Sequence, residues 1–262
     1  MKKYLSVCVA LFAGMLAVFA SPARGSVSLV QSTSGVSGAV NFFGKAFSTN
    51  VANGDLVIGC FTFGNNTAGI TYSMTDSASN SYAAFVTQET QVTNNNDLLC
   101  FWTIHAGSAA AITVTGNASG GGSHTFRLAI YDYASTTGWP ASPVDKNAGA
   151  SSSSSVANIT TASITPSQSG TLIFSALEIG ASGVTSISTN AGYSEQPAGG
   201  TAGQGWASSL RADSADNQNG GTSATSVTYT FAGGVSAATA IIQNFKPNVA
   251  APHKVFHRVT QD

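Results

Sequence analysis

The amino-acid sequence predicts an all-β protein, and three observations support that prediction. After the first 25 residues, helical periodicity is missing, and apolar and polar residues alternate with the period of two that a half-buried strand requires. Threonine, valine, isoleucine and aromatic residues dominate the alternating runs, which suits a pleated surface. Clusters of glycine, asparagine and serine, which favour turns, separate the runs. Many short strands joined in this way predict an antiparallel β-sandwich with a jelly-roll-like arrangement.

Residues 1–25 differ from the rest of the chain and predict a signal peptide. Lys2 and Lys3 precede an apolar stretch at 5–20, which small residues follow. A secretory signal has this order of basic, apolar and small residues. The apolar stretch is shorter than the roughly 20 residues that span a membrane, although a retained anchor is the alternative. We therefore expect a bacterial protein that is secreted or held at the cell surface, without membrane attachment after cleavage.

Charged residues are scarce throughout the chain. Lys and Arg number 10 and Asp and Glu number 11 among 262 residues, which is far below the usual share of about 25%. So few cations cannot neutralise a run of phosphates, so we expect no nucleic-acid partner. Removal of 1–25 leaves seven basic residues, of which three lie in 246–262. The predicted sandwich is therefore almost without positive charge.

The strand-like runs recur along the chain in two similar sets. In chain order they lie at 56–63, 70–75, 98–104, 112–115, 125–130, 172–176 and 227–231. The matched segments are 54–58 with 170–174, 128–133 with 240–245 and, more loosely, 70–82 with 184–193. We therefore expect a β-sandwich over 26–247 with halves at about 26–140 and 141–247. Two small tandem sandwiches are possible, but a single pseudo-symmetric sandwich is favoured, because 143–145 in the connection can begin a strand.

Two cysteines follow the predicted signal peptide. Cys60 and Cys100 lie in apolar, strand-like runs. In an oxidising compartment, such a pair on neighbouring strands can form a disulfide. Closing this loop would contribute about 4 kcal/mol in the chain-entropy model. Two buried free thiols are the alternative.

One turn motif resembles that of a known group of proteins. Residues 75–82 read Thr-Asp-Ser-Ala-Ser-Asn-Ser-Tyr, similar to the D-S-x-G-N-x-Y turn of uncharacterised bacterial secreted and phage-associated β-sandwich proteins. Their GDLLV, SPLD and FKP segments resemble 54–57, 142–145 and 245–247. The resemblance implies a sandwich over nearly all of the chain up to Pro247, and it implies no activity. Ser79 stands where the group has glycine, so this turn departs from the pattern.

The sequence contains few groups that suit catalysis. A nucleophile elbow, a phosphate-binding loop and a dinucleotide fingerprint are absent from it. Glycoside hydrolysis needs two carboxyl groups on facing strands, and Asp132 and Glu178 are candidates because each continues an apolar strand face. Such a group is either buried with a raised pKa or placed at a strand end in water. Strand-end placement is favoured, so a non-enzyme is expected and a hydrolase is the third hypothesis.

One polar segment raises the question of a metal ion. Asp213, Asp216, Asn217 and Asn219 concentrate oxygen atoms in a predicted loop. Calcium prefers six or more oxygen ligands in a flexible loop. A solvated turn is the favoured interpretation, and a structural calcium ion is the alternative. No other cofactor is expected.

Aromatic residues are the main indication of a ligand. Trp139 and Trp206 lie in glycine-containing loops beside Ser, Thr or Gln residues, and Tyr193 is a third candidate. Exposed aromatic faces with hydrogen-bonding neighbours suit the binding of sugars. The sequence therefore predicts an adhesive or glycan-binding module for polysaccharide or cell-surface glycan. The alternative is that each indole covers one end of the core. Trp102, within the apolar run at 98–104, is expected to be simply core.

The segment 248–262 has a different character from the sandwich. Within it, Val255, His257 and Val259 alternate with Phe256, Arg258 and Thr260, and the segment is rich in basic residues. This tail can form an extra strand that adds to a neighbour's sheet edge. The second functional hypothesis is therefore self-assembly, as a structural subunit of an extracellular filament or coat. A disordered chain end is the alternative.

Overall fold

The computed structural model describes residues 25–64, 70–87, 89–91, 96–120, 122–180, 183–196, 198, 202–206, 211–234 and 236–249. These residues contain no α-helix, and all pairs of neighbouring strands within them are antiparallel. The predicted all-β antiparallel fold in two halves is therefore confirmed. Within the same ranges, no helix is long and apolar enough to cross a membrane.

The first half forms a large and a small sheet. Its strands are β1 (Val27–Val40), β2 (Phe42–Ala46), β3 (Leu56–Phe63), β4 (Thr71–Asp76), β5 (Ala83–Ala84), β6 (Glu89–Gln91), β7 (Asn96–Ile104), β8 (Thr113–Ser119) and β9 (His124–Ser135). The first large sheet has the order β1-β9-β3-β7-β5, and β6 also pairs with β7. The first small sheet has the order β2-β8-β4.

The second half forms another large and another small sheet. Its strands are β10 (Val144–Val156), β11 (Asn158–Thr160), β12 (Thr171–Ile179), β13 (Ser186–Thr189), β14 (Ser194–Glu195), β15 (Ala212–Gly220), β16 (Thr228–Ala232) and β17 (Ser236–Phe245). The second large sheet has the order β10-β17-β12-β15-β14, and the second small sheet has the order β11-β16-β13. Among the residues that the structure describes, each strand of the first half other than β6 has a counterpart here.

The two halves also agree in strand register. Leu56 of β3 lies opposite Tyr133 of β9, and Leu172 of β12 lies opposite Phe245 of β17. Both first strands, β1 and β10, have an irregularity near their starts. The sequence matches at 54–58 with 170–174 and at 128–133 with 240–245 therefore join equivalent strands.

Four sheet layers enclose three cores. The first-half core lies between the two sheets of the first half and includes Phe61 and Phe126. The second-half core includes Leu177 and Tyr229. The central core lies between the two large sheets and includes Phe174. All side chains of β3 and β12 are buried because core covers both faces of each strand. Each half thus has its own pair of sheets, and the central core joins the halves.

A disulfide crosses the first large sheet. Cys60 of β3 lies directly opposite Cys100 of β7, and the two are bonded. Both residues belong to the central core and are fully buried. The predicted disulfide is therefore confirmed, and it links two strands that β-sheet pairing already holds together.

Candidate functional site

The expectation that two tryptophans are exposed in loops is wrong. Trp139 is 8% exposed and Trp206 is fully buried. The indole Nε1 of Trp139 donates a hydrogen bond to the Tyr133 carbonyl oxygen (3.1 Å), and that of Trp206 donates to Ser214 Oγ (3.2 Å). Both loops fold inward because the large sheets enclose a wide central core that these side chains fill. Neither indole can form a surface platform for a sugar.

Tyr193 lies elsewhere and is also engaged within the protein. Its ring packs against the second-half core, and its hydroxyl is 2.8 Å from Thr225 Oγ1. Burial raises the pKa of Tyr193, and the hydrogen bond with Thr225 opposes that shift. The three aromatic residues expected to bind ligand therefore do not meet at one surface.

A buried polar cluster joins the two halves. The hydroxyl of Tyr131 contacts Ser214 Oγ and donates to the Gln196 carbonyl oxygen (3.1 Å). The hydroxyl of Tyr133 donates to Asp216 Oδ2 (2.7 Å), and Gln196 Nε2 donates to Asp216 Oδ1 (3.2 Å). Burial raises the pKa of Asp216, and these hydrogen bonds oppose the shift. The cluster fixes how the large sheets face each other, because hydrogen bonds depend on direction.

The segment expected to be a polar loop is instead strand β15, so that expectation is wrong. Asp213 and Asp216 lie on opposite faces of the strand because side chains alternate. Asn219 is exposed, and its backbone N–H donates to Asn217 Oδ1 (2.9 Å). The four residues therefore do not converge on one ion. Among the residues that the structure describes, no group of three or more His, Cys, Asp or Glu could hold a metal ion.

The two carboxyl groups considered for hydrolysis are both buried, so the expected strand-end placement in water is wrong. Asp132 and Glu178 are each 0% exposed. Asp132 lies on the face of β9 that contributes to the first-half core, whereas Glu178 continues the central-core face of β12. Burial lowers the pKa of Arg127, and the nearby charge of Glu178 opposes that shift. The two acids thus face different layers and do not flank a common cleft.

Asp132 instead forms a carboxyl pair with Asp55, which precedes β3. Burial raises the pKa of Asp132 to about 7; a hydrogen bond from Gln31 opposes the shift and the neighbouring Asp55 adds to it. Gln31 Nε2 donates to Asp132 Oδ2 (3.1 Å), and Thr49 Oγ1 donates to Gln31 Oε1 (2.8 Å). Burial also raises the pKa of Asp55. The sequence did not indicate this pair, because only the register of Val57 opposite Asp132 brings the acids together.

A cleft of about 520 Å³ lies at one edge of the central core. Its lining includes Trp102, Ile104, Ala83 and the connection between the halves at Ala141. Trp102 is partly exposed because β5, the strand that pairs with β7 here, is only two residues long. Its ring also packs edge-on against Phe245, with centroids 6.1 Å apart. The prediction that Trp102 is simply core therefore holds for one side of the ring only.

The turn motif at 75–82 builds the rim of this cleft. Asp76 Oδ1 accepts hydrogen bonds from the backbone N–H of Ala78 (2.9 Å) and Asn80 (3.1 Å). Asp76 Oδ2 accepts from Asn80 Nδ2 (2.8 Å) and from the Tyr82 hydroxyl (3.0 Å). Ser79 has a φ of 62°, a left-handed conformation that favours glycine. The turn therefore forms with serine at the position where the resembling group has glycine.

Asn80 also connects the rim to the interior. Its Nδ2 lies 3.0 Å from Nδ1 of the buried His105, and its Oδ1 accepts from the Ala106 N–H (2.9 Å). The Asn80 amide is thus held in place by the protein itself. Ser79 and Ser81 are exposed on either side of it. The cleft therefore combines a fixed rim, two exposed serines and one side of an indole ring.

The predicted assembly residues Val255, Phe256 and Val259 lie outside the described residues. The chain is described as far as Val249. Just before that point, the backbone N–H of Asn248 donates to the Gly138 carbonyl oxygen (3.0 Å). The last described residues of the chain therefore lie beside the turn that follows β9.

Comparisons with protein-family models, with curated proteins and with solved structures give no match to this chain. The resemblance carried by the turn at 75–82 therefore stays a prediction.

Proposed function

We propose that this protein is an exported, non-catalytic β-sandwich module that binds a glycan in the cleft beside Trp102. The observation that supports this function is the partly exposed indole next to the rim serines, Ser79 and Ser81. An aromatic face gives a sugar ring an apolar surface, and hydroxyl groups give it hydrogen bonds. The cleft volume of about 520 Å³ falls within the range of small-molecule sites.

The lining of the cleft favours an uncharged sugar. Its residues are Ala78, Ser79, Asn80, Ser81, Ala83, Trp102, Thr103, Ile104, Ala106 and Ala141, and none of these side chains carries a charge. A uronic acid or a sulfated glycan would place its anionic groups here without a cationic partner, which is unfavourable. We therefore expect preference for neutral polysaccharides over acidic ones.

Glycan arrays and polysaccharide pull-downs test this proposal. The purified protein should bind neutral glycans, and Trp102→Ala should weaken binding at least tenfold because the stacking surface is lost. Ala83→Trp should weaken it similarly by filling the cleft, since Ala83 lies opposite Trp102 in the sheet. The second variant keeps the contact between Trp102 and Phe245, so it separates lost binding from lost packing.

Phe42→Ala is the matched control, because Phe42 is 61% exposed on β2 of the first small sheet and does not line the cleft. This variant should bind as the unaltered protein does. Absence of binding across broad arrays, or equal affinity in all four proteins, would reject the proposal.

A second candidate function, self-assembly into a filament or coat, has one observation in its favour. β1 and β10 are edge strands of 14 and 13 residues, and within the described ranges each pairs along one side only. Long edge strands present unpaired backbone groups that can add a strand from another chain. The last described residues lie near the start of β1. Asn248 is hydrogen-bonded to Thr137 and Gly138, and Ser26, just before β1, is hydrogen-bonded to the adjacent Thr136.

Under this second function, deletion of 250–262 should abolish assembly measured by light scattering at high protein concentration. Val36→Lys should reduce it, because Val36 is 43% exposed on β1 and a charge disfavours edge pairing. Ala109→Lys is the control, since Ala109 is exposed in the loop between β7 and β8 and belongs to neither edge strand. A full-length protein that stays monodisperse and monomeric would exclude assembly.

A further inference from the structure

Two carboxyl groups meet at the end of the first-half core where β3 begins. Asp132 is fully buried, and its carboxyl lies within hydrogen-bonding reach of Asp55. One oxygen, Oδ2, accepts from Gln31 Nε2 (3.1 Å), whereas the buried Oδ1 has no hydrogen-bond donor from the protein. A buried carboxylate oxygen without a donor, next to a second carboxylate, is unfavourable unless something positive lies between them.

The second half shows that the fold does not require acids at these positions. Thr171, the first residue of β12, precedes Leu172 as Asp55 precedes the equivalent Leu56, and Asn244 occupies the register position of Asp132. Neither residue can carry a negative charge, and Asn244 Nδ2 donates to the Leu172 carbonyl oxygen (3.1 Å). The same strands therefore form with an uncharged pair. The acids of the first half add a chemical property that the topology does not need.

We propose that Asp55 and Asp132 together bind one divalent cation, with calcium as the ion that this donor set suits best. Calcium prefers carboxylate oxygens and accepts water molecules for the remaining ligands. Two carboxylates balance the charge of one such ion. Asp55 is only partly buried, so the ion can enter from solvent. Extracellular modules commonly bind calcium with dissociation constants of about 0.1–1 mM, and we expect this range here.

Binding would strengthen the attachment of the segment before β3 to the first large sheet. The backbone N–H of Ala52 donates to Asp55 Oδ2 (3.2 Å), and the His105 N–H donates to the Asp55 carbonyl oxygen (2.8 Å). On the other side, Gln31 contacts both Asp132 and Thr49. An ion held by the two acids would therefore bridge this segment and β9. Neither acid lines the cleft beside Trp102, so calcium binding can be measured independently of glycan binding.

Calcium titration of the purified protein at pH 8 tests the proposal. Isothermal titration calorimetry should give one site in the millimolar or submillimolar range. The thermal midpoint should rise by a few degrees and level off as the site saturates, relative to sodium chloride of matched ionic strength. Asp55→Asn and Asp132→Asn should each remove both responses. Asp213→Asn, which changes a buried acid of the second half, should keep them.

Three outcomes overturn the proposal. The first is the absence of any calcium response at pH 8, which would leave a shared proton as the occupant of the pair. The second is a response that persists in both Asp55→Asn and Asp132→Asn, which would place the ion elsewhere. The third is a midpoint shift that sodium chloride reproduces, which would show general screening. Because Asp55 is partly exposed, Asp55→Asn keeps the test decisive even if Asp132→Asn fails to fold.

Discussion

Trp206→Ala should lower the free energy of unfolding by about 3–5 kcal/mol, the usual cost of removing a fully buried large aromatic side chain. Trp206 has no exposed surface and belongs to the central core between the large sheets. Its removal would leave a cavity and deprive Ser214 Oγ of the indole hydrogen bond (3.2 Å). The thermal midpoint should therefore fall by about 10 °C or more, as scanning calorimetry would measure.

Two variants make this experiment specific. Trp206→Phe should cost less than Trp206→Ala, because it keeps much of the apolar surface and loses the indole N–H. Trp102→Ala should also cost less, because Trp102 is partly exposed at the edge of the same core. Equal losses for Trp206→Ala and Trp102→Ala would contradict the different burial of the two indoles.

The free energy of unfolding should fall as the pH rises from about 4 to about 7, in part because of Asp213. Burial raises the pKa of Asp213 to about 7; the Ser214 N–H opposes the shift and the charge of Glu195 adds to it. The folded protein therefore binds a proton that the unfolded chain, with an ordinary pKa of 3.8, has already lost. The stabilising contribution is complete below pH 3.8 and is lost as the pH rises through 7.

Asp213→Asn isolates this effect, because the amide cannot ionise. At pH 8 the variant should be more stable than the unaltered protein by up to about 4 kcal/mol, and its stability should depend less on pH. Glu195→Gln should cause a smaller change in the same direction, since it removes only the neighbouring charge. Denaturant unfolding between pH 4 and pH 8 measures all three proteins. Parallel pH profiles for Asp213→Asn and the unaltered protein would refute the assignment.

Several features could be predicted from the sequence because they depend on local patterns. The alternation at 125–130 and the apolar run at 56–63 correspond to parts of β9 and β3. Cys60 and Cys100 lie in two such runs, and their direct pairing follows from the strand register. The sequence similarity between 54–58 and 170–174 predicted two related halves, because equivalent strands bury equivalent faces.

The errors concern residues whose environment depends on distant contacts. The polar segment with Asp213 and Asp216 has the composition of a loop, yet it forms β15 because β12 pairs along one side and Tyr133 and Gln196 satisfy Asp216. Trp206 follows a glycine-containing loop that folds into the central core. Local propensity gave no sign of either contact, since the partners are far apart in the chain.

The sequence by itself determined the all-β class and the two related halves, because period-two alternation and turn chemistry act over a few residues. It placed Cys60 and Cys100 in strands, and the strand register then paired them. Only the tertiary structure decided that two large sheets pack face to face. The apolar sequence of β3 shows that both faces of the strand are buried. It does not show which other sheet packs against each face. That packing buries Trp206 and leaves part of Trp102 exposed at the edge of the central core. The sheet register, in turn, brings Asp55 beside Asp132. The candidate sites therefore depend on contacts between distant segments.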